Sequence, residues 1–264
     1  MPTPKEFDVS GMTVIVTGAS RGIGLGIVNV LAKAGANVMV TALTDKYLSV
    51  IREQTASAAN PVQTLQADAT DSTDWERTID AAMSKWDHID ALVNNLGDAI
   101  RKDIVPAPGS TDEQPISDDE LRSVIDVNLT EAFKGCRAVG EHFIGRRQGK
   151  VLNISGFAAL RGQPGLAVYS AAKAGLVRLT QTLALEWAPY GVTVNCIAPG
   201  YFPDQVHGDH DEVERRKNWA RTAVPLGRVG EVEEVGLLAQ YMLSPAAGYM
   251  TGETVYIDGG VSFA

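Results

Sequence analysis

Short β-branched runs alternate with amphipathic stretches along the whole chain, and no other feature restricts its fold so far. Residues 13–17 (TVIVT) read as a buried strand, and residues 22–34 have the apolar spacing of a helix that Gly35 stops. The pattern recurs with strands at 37–41 (NVMVT), 62–67 and 89–94, and helices at 45–58 and 71–86. A long helix is expected over 117–145, with Ser117 as its cap and Glu120 completing a capping box. A strand at 150–155, a helix at 165–189, a strand at 193–197, helices at 211–222 and 231–244 and a last strand at 254–257 follow. Strands separated by helices pair in parallel through right-handed crossovers, so about seven parallel strands are expected. No linker or low-complexity run interrupts the pattern, which reads as one domain over 1–264. The longest irregular piece, 98–116, contains Pro and Gly, and a loop of that length inside a compact domain is usually functional or mobile.

Composition narrows the partners. Acidic residues outnumber basic ones, 32 to 23, which argues against a general nucleic-acid or anionic-membrane surface but leaves room for a locally positive anion site. Cys136 and Cys196 sit in apolar segments without Cys-x-x-Cys or His spacing, and read as two reduced, buried thiols of a cytosolic protein. Lys5, Glu6 and Asp8 precede any apolar run, so residues 1–10 do not read as a signal peptide. No uncharged apolar stretch approaches the roughly 18 residues of a membrane span.

Two motifs carry chemistry. Gly18, Gly22 and Gly24 lie between the first strand and its helix. Glycine lets the backbone turn sharply and approach a ligand, and the helix N-terminus aims free N–H groups and a positive dipole end at the turn. That describes a diphosphate site, although the spacing G-x-x-x-G-x-G differs from the common G-x-G-x-x-G and a plain tight turn is the alternative. Tyr169 and Lys173 stand one helical turn apart, on one helix face. An ammonium beside a phenol lowers the phenol's pKa, and a tyrosine so tuned can exchange a proton with an alcohol or a carbonyl.

The glycine turn, Asn94-Asn95-Leu96-Gly97, Asn128, Tyr169-x-x-x-Lys173 and Pro199-Gly200 occur in one order and at spacings that resemble the short-chain dehydrogenase/reductase family, from about Gly11 to Gly260. The resemblance implies a single doubly wound α/β domain of the Rossmann type, with helices on both faces of the sheet. It implies NAD(H) or NADP(H) lying across the carboxyl ends of the strands, in a cytoplasmic enzyme. Gly18, Ser20, Arg21, Ile23 and Gly24 would meet the diphosphate and ribose, Asp68 and Ala69 the adenine, Asn95 and Gly97 the ribose, and Pro199, Gly200 and Phe202 the nicotinamide. Tyr169 would be the general acid/base, and Lys173 would lower its pKa and bind the nicotinamide ribose. Asn128 would hold a water of a proton relay behind the lysine, or else serve as a helix-kink residue.

Several positions depart from the family pattern. The acidic residue by which NAD-preferring members bind the adenine ribose, at the end of the second strand, is replaced by Ala42. Arg21 could pair with a 2′-phosphate, but the arginine common in NADP-preferring relatives is replaced by Leu43, and Asp45 adds repulsion. The balance favours NADP(H), with NAD(H) possible. The family's serine, normally thirteen residues before the tyrosine, falls on Gly156, and Ser155 is the nearest hydroxyl. In a regular strand Ser155 would face away from the substrate. The strand could end early and turn Ser155 into the site, a loop insertion could restore its position, or the site could work without that donor. Ser155 is therefore carried as a candidate catalytic residue. Leu96 stands where Ala is usual, and Asp204 where Thr is usual.

Loops at 98–116, 157–165 and 201–222 would build the substrate pocket. Tyr201, Phe202 and Trp219 could form an apolar wall or core packing. His207 and His210, with Asp204, Asp209 and Asp211, read as a solvated lid; no metal site is expected. The expected reaction is hydride transfer between nicotinamide and a secondary alcohol or ketone, with a 3-oxoacyl thioester, a sugar acid or a cyclic ketone all admissible. The alternative, raised by Gly156, is a weakly active or non-catalytic nucleotide-binding scaffold. By resemblance, helices 117–145 and 165–189 would make one dimer face and residues 249–264 a second, closing a homotetramer, with a homodimer as the alternative.

Overall fold

The computed structural model describes residues 4–56, 60–109, 114–204 and 209–264. The strands are β1 (Thr13–Thr17), β2 (Asn37–Ala42), β3 (Gln63–Gln66), β4 (Ala91–Asn94), β5 (Gly149–Ile154), β6 (Val192–Pro199) and β7 (Thr254–Ile257). The helices are α1 (Gly22–Lys33), α2 (Leu48–Thr55), α3 (Ser72–Trp86), α4 (Asp118–Ile125), α5 (Glu131–Arg146), α6 (Ala167–Trp187), α7 (His210–Ala223) and α8 (Val232–Leu243). All seven strands join one parallel sheet in the order β3-β2-β1-β4-β5-β6-β7. The expected doubly wound architecture is therefore present.

β1 explains why these strands read as unbroken apolar runs. Val14 and Val16 join the core beneath α1 and α8, whereas Ile15 joins the core beneath α3 and α5. Both faces are buried, so alternation of polar and apolar residues would cost stability. The α1–α8 contact is unusually close. A Cβ on Gly26 would lie 2.5 Å from the Val232 carbonyl oxygen, and one on Gly236 would lie 2.6 Å from the Gly26 carbonyl oxygen. Here glycine serves backbone approach between helices, not a turn.

The helix expected over 117–145 is interrupted. Its start is as expected, with the Ser117–Glu120 capping box intact. A π-helical turn at Asp126–Thr130 then separates α4 from α5. Asn128 Nδ2 donates to the Val124 carbonyl at 2.8 Å and to the Asp98 carbonyl at 2.6 Å, inserting a side chain into the helical ladder. The helix expected over 45–58 is shorter, beginning with a 3-10 turn at Asp45–Tyr47; residue 58 lies outside the described residues. Both cysteines are free and buried. No helix among the described residues is long and apolar enough to cross a membrane.

Between β3 and β4 the chain crosses back over the sheet, so β1 and β4 become neighbours and a crevice opens at their carboxyl ends. Substituting Gly236→Ala is expected to lower unfolding free energy by about 1–3 kcal/mol, the usual cost of overpacking, despite alanine's better helix propensity. Urea denaturation followed by circular dichroism measures it.

Candidate active site

The glycine turn follows β1 at this crevice. Gly18 and Gly22 have φ of +58° and +56°, where a side chain would be strained. A Cβ on Gly24 would lie 2.6 Å from Ala19 Cα and would also strike Asn95 Nδ2. Arg21 occupies the N-cap of α1 without a side-chain hydrogen bond, leaving the first N–H groups of the helix for a ligand. Nothing lies within 4 Å of a Cβ placed on Gly22. Ser20 is half-buried, Ile23 is half-buried against the core, and Arg21 is exposed. A turn closed on its inner side and open on its outer side suits a diphosphate.

Leu96 explains Gly18 further: a Cβ there would lie 2.8 Å from Leu96 Cδ1. The leucine that departs from the family pattern thus packs onto the turn. Asn95 ties the turn to β4, donating from Nδ2 to the carbonyls of Thr17 at 3.0 Å and Gly18 at 3.2 Å.

Beneath the cleft, polar groups converge on Gly97. A Cβ at this position would lie 2.9 Å from both Asn128 Oδ1 and Lys173 Nζ. Glycine here admits two side chains that arrive from α4–α5 and from α6. Lys173 is buried and donates from Nζ to the Ile154 carbonyl at 2.9 Å. Asn128 Oδ1 is buried and accepts no hydrogen bond from the protein. An orphaned acceptor facing a buried amine is where a relay water would be satisfied.

Tyr169 shares the helix face with Lys173, whose Nζ is 5.8 Å from the phenol ring centroid. A Cβ added to Gly156 would lie 3.3 Å from the Tyr169 hydroxyl and 3.9 Å from the Pro199 carbonyl. Position 156 therefore faces the tyrosine. Ser155 does not: its backbone N–H continues the ladder to Ile197, and its hydroxyl donates to the Lys173 carbonyl at 2.9 Å, buried on the far side. The expectation that Ser155 could supply the substrate-facing hydroxyl is corrected by strand register, which sends neighbouring side chains to opposite faces.

The electrostatics also differ from expectation. The Tyr169 phenol is pushed up to about 12, by burial first and the Asp98 carboxylate second. Lys173 is pushed down to about 8 by burial, against the pull of Glu131 and Cys196. Desolvation penalises both charged forms and outweighs the attraction that helical spacing alone suggests. Glu131 was not anticipated from sequence. It is 1% exposed, accepts from Thr17 Oγ1 at 3.4 Å, and burial raises its carboxyl to about 8 despite Lys173. Its place three residues after Asn128, on the same helical side, was the available signal.

At the outer end of the crevice, Ala42 is buried and Leu43 exposed. Asp45 pairs with Arg52 at 3.5 Å, so its charge is partly offset by a cation that sequence reasoning missed. The Asp68 carboxylate accepts from Thr70 N and Oγ1 at 2.8 and 2.7 Å, and the Ala69 carbonyl accepts from Trp75 Nε1 at 2.8 Å. At the inner end, Pro199 closes β6, and a Cβ on Gly200 would lie 2.6 Å from Asp258 Cα. The Phe202 ring packs on Gly230 and the core, so it does not join the aromatic wall. Tyr201 does: its ring centroid is 4.5 Å from that of Trp219, edge-on, and 4.9 Å from that of Phe157. His207 lies outside the described residues; among those described, no group of three or more His, Cys, Asp or Glu is placed to hold a metal.

A glycine turn at the switch point of a parallel sheet, with a tyrosine and a buried lysine across the crevice, defines a dinucleotide-binding α/β enzyme. The family model described as enoyl-(acyl carrier protein) reductase matches residues 18–262. A 3-oxoacyl-(acyl-carrier-protein) reductase of Chlamydia pneumoniae is 34% identical over 98% of this chain and 100% of its own length. The 3beta-hydroxysteroid dehydrogenase 1 of Eggerthella lenta is 34% identical, covering 97% and 95%. Among solved structures, a gluconate 5-dehydrogenase from Burkholderia cenocepacia in complex with NADP and tartrate superposes with a TM-score of 0.85 at 28% identity, covering 98% of both chains. The chain belongs to the short-chain dehydrogenase/reductase family, NAD(P)-dependent oxidoreductases acting on CH–OH and C=O groups.

Because the Ser155 hydroxyl bonds a helix carbonyl, Ser155→Ala is expected to lower stability by about 1 kcal/mol. Turnover should stay within about twofold of the parent, since no reacting group touches that hydroxyl. Thermal melts and coenzyme-linked assays measure the two effects.

Proposed function

We propose that this protein reduces a ketone to a secondary alcohol, or runs the reverse, with Tyr169 as general acid/base. The carrying observation is the Tyr169 hydroxyl facing position 156 at the end of β5, with Lys173 on the same helix face. Bound nicotinamide supplies or takes the hydride. Burial and Asp98 keep the phenol protonated, which suits a proton donor to a carbonyl oxygen and so favours reduction. Lys173, held on the Ile154 carbonyl, supports the phenolate left after proton transfer and is available to the nicotinamide ribose. Asn128 holds a relay water through its buried Oδ1 as well as forming the π-turn.

Gly18, Ser20, Arg21, Ile23 and Gly24 hold the diphosphate and ribose, Asp68 and Ala69 the adenine, Asn95 and Gly97 the second ribose, and Pro199, Gly200 and the Phe202 backbone the nicotinamide. NADP(H) is favoured: Ala42 offers no carboxylate to repel a 2′-phosphate, and Arg21 is exposed beside the turn. The substrate is a small carbonyl compound meeting the Tyr201–Trp219 wall. The exposed Leu185, Tyr249 and Phe263 support two association faces of a cytoplasmic, single-domain homotetramer.

Gly156 supports a second reading, a weakly active or scaffold relative, because the site lacks the serine donor. Titration of the protein with NADPH and NADH, followed by a panel of ketones, separates the two. Tyr169→Phe is expected to cut turnover at least about 100-fold with coenzyme binding retained. Full turnover in that variant would overturn the mechanism, and coenzyme binding without any turnover in the parent would favour the scaffold. Gly156→Ser is expected to raise kcat by about 10- to 100-fold, part of what one oxyanion donor contributes. Its φ of 179° is extended backbone that serine adopts freely.

A further inference from the structure

The Tyr201–Trp219 stack stands on a small core of its own. Phe157, Ala220, Val224, Val229 and Val261 are buried together with Tyr201 packed against them, apart from the two cores that flank the sheet. The cluster joins the turn after β5 (Phe157–Ala159), the segment after β6, the end of α7 with the residues that follow it, and a 3-10 turn at Val261–Phe263. So few side chains bury little apolar area, and hydrophobic stabilisation scales with that area. Hydrophobic contact is also non-directional, whereas an edge-on aromatic stack has a specific geometry. Directional ties between the segments must therefore supply it.

The turn at Val261–Phe263 is the hub of those ties. The Asp258 carboxylate fixes it, accepting from Gly260 N at 2.9 Å and from Ser262 N at 2.8 Å. Towards α7, Leu226 N donates to the Gly259 carbonyl at 3.1 Å, and a Cβ on Gly259 would lie 2.7 Å from Val224 Cγ1. Towards β6, Gly200 brings the chain just before Tyr201 against Asp258. Towards β5 the tie is a side chain: Arg161 Nη1 donates to the Val261 carbonyl at 2.8 Å. Arg161 is exposed, and its own N–H donates to the Phe157 carbonyl at 3.0 Å, so the guanidinium acts one turn of chain from the Phe157 ring. At the other end of the same loop, Arg101 Nη1 donates to the Pro164 carbonyl at 2.8 Å and Lys102 N to the Gly165 carbonyl at 2.9 Å. Those bonds hold the end that leads into α6.

We propose that Arg161 is a positioning residue for the substrate: by tying the loop after β5 to the turn at Val261–Phe263, it holds Phe157 in the stack with Tyr201 and Trp219, and so sets how well the wall receives a bulky carbonyl substituent. A wall already in place gives its full contact to such a substituent. With the tie removed, Phe157 and Tyr201 sample several arrangements, and a bulky ketone must order them at a cost in affinity. A small ketone that reaches only Tyr169 and the nicotinamide bears no such cost. The effect therefore falls on KM for bulky substrates, not on kcat. The inference rests on the reading of the Tyr201–Trp219 stack as the substrate wall.

The first test needs neither coenzyme nor substrate. Near-ultraviolet circular dichroism records the stack as the part of the spectrum lost in Trp219→Phe. Arg161→Ala is expected to remove at least about half of that signal, and Arg161→Lys, which keeps a cation on a long stem, to restore most of it. An unchanged signal in Arg161→Ala would overturn the proposal. Arg101→Ala is the comparison, expected to leave the signal in place; an equal loss in both variants would mean that the loop loosens as a whole and that Arg161 has no particular role. The second test measures steady-state kinetics on a small aliphatic and a bulky cyclic ketone at saturating coenzyme. Arg161→Ala is expected to raise KM for the bulky ketone about 5- to 20-fold, with kcat and the KM of the small ketone within about twofold of the parent. Equal changes for both ketones would sink the proposed role in specificity. Trp219→Ala with an unaltered KM for the bulky ketone would refute the wall reading while leaving the spectral result intact, so the two failures are distinguishable.

Discussion

Burial of the parallel sheet on both faces is the constraint from which the rest follows. Once Val14 and Val16 fill one core and Ile15 the other, no side chain along β1 is free for chemistry. Reactive groups must gather where strands end and backbone amides are unsatisfied. The return of the chain across the sheet makes β1 and β4 neighbours and opens that space. Glycines then determine how close the walls come: Gly24 admits Ala19 and Asn95, Gly97 admits Asn128 and Lys173, and Gly200 admits Asp258.

Closeness has an electrostatic consequence. Ionisable groups are held in a buried floor, where the neutral form of each is favoured. Tyr169 and both cysteines move up, Lys173 moves down, and Glu131 moves up towards it. Spacing on a helix brings an amine and a phenol to one face, but burial decides how much charge either carries. The amine reaches the Ile154 carbonyl rather than the phenol oxygen, so its influence on Tyr169 acts through space and through its own charge state.

Position 156 illustrates how a departure from a family pattern is absorbed. The backbone there is extended and the space beside the Tyr169 hydroxyl is small, so the change removes a donor without disturbing the strand. Ser155 cannot compensate, because its hydroxyl is buried and held by the Lys173 carbonyl of α6. The Tyr201–Trp219 stack and the half-buried Asp204 stand at the rim, outside the two cores that flank the sheet.

Much of this architecture was legible in the residues. Short β-branched apolar runs and 3.6-residue periodicity are local, so all seven strands, the Ser117 cap, the glycine turn and the Tyr169–Lys173 face could be read from neighbours in the chain. What lay beyond reach depends on residues far apart in sequence. The π-turn arises because Asn128 bonds Asp98, thirty positions away, as well as Val124. The charge of Glu131 bears on Lys173 only when α5 and α6 come together, and Arg52 meets Asp45 only after the 3-10 turn shortens α2. The chain by itself determined the order of elements and the chemical types at the strand ends, because hydrophobic periodicity and glycine spacing are properties of adjacent residues. The tertiary structure alone decided which face Ser155 takes and where protons reside, because burial and charge proximity are sums over groups that only folding brings together.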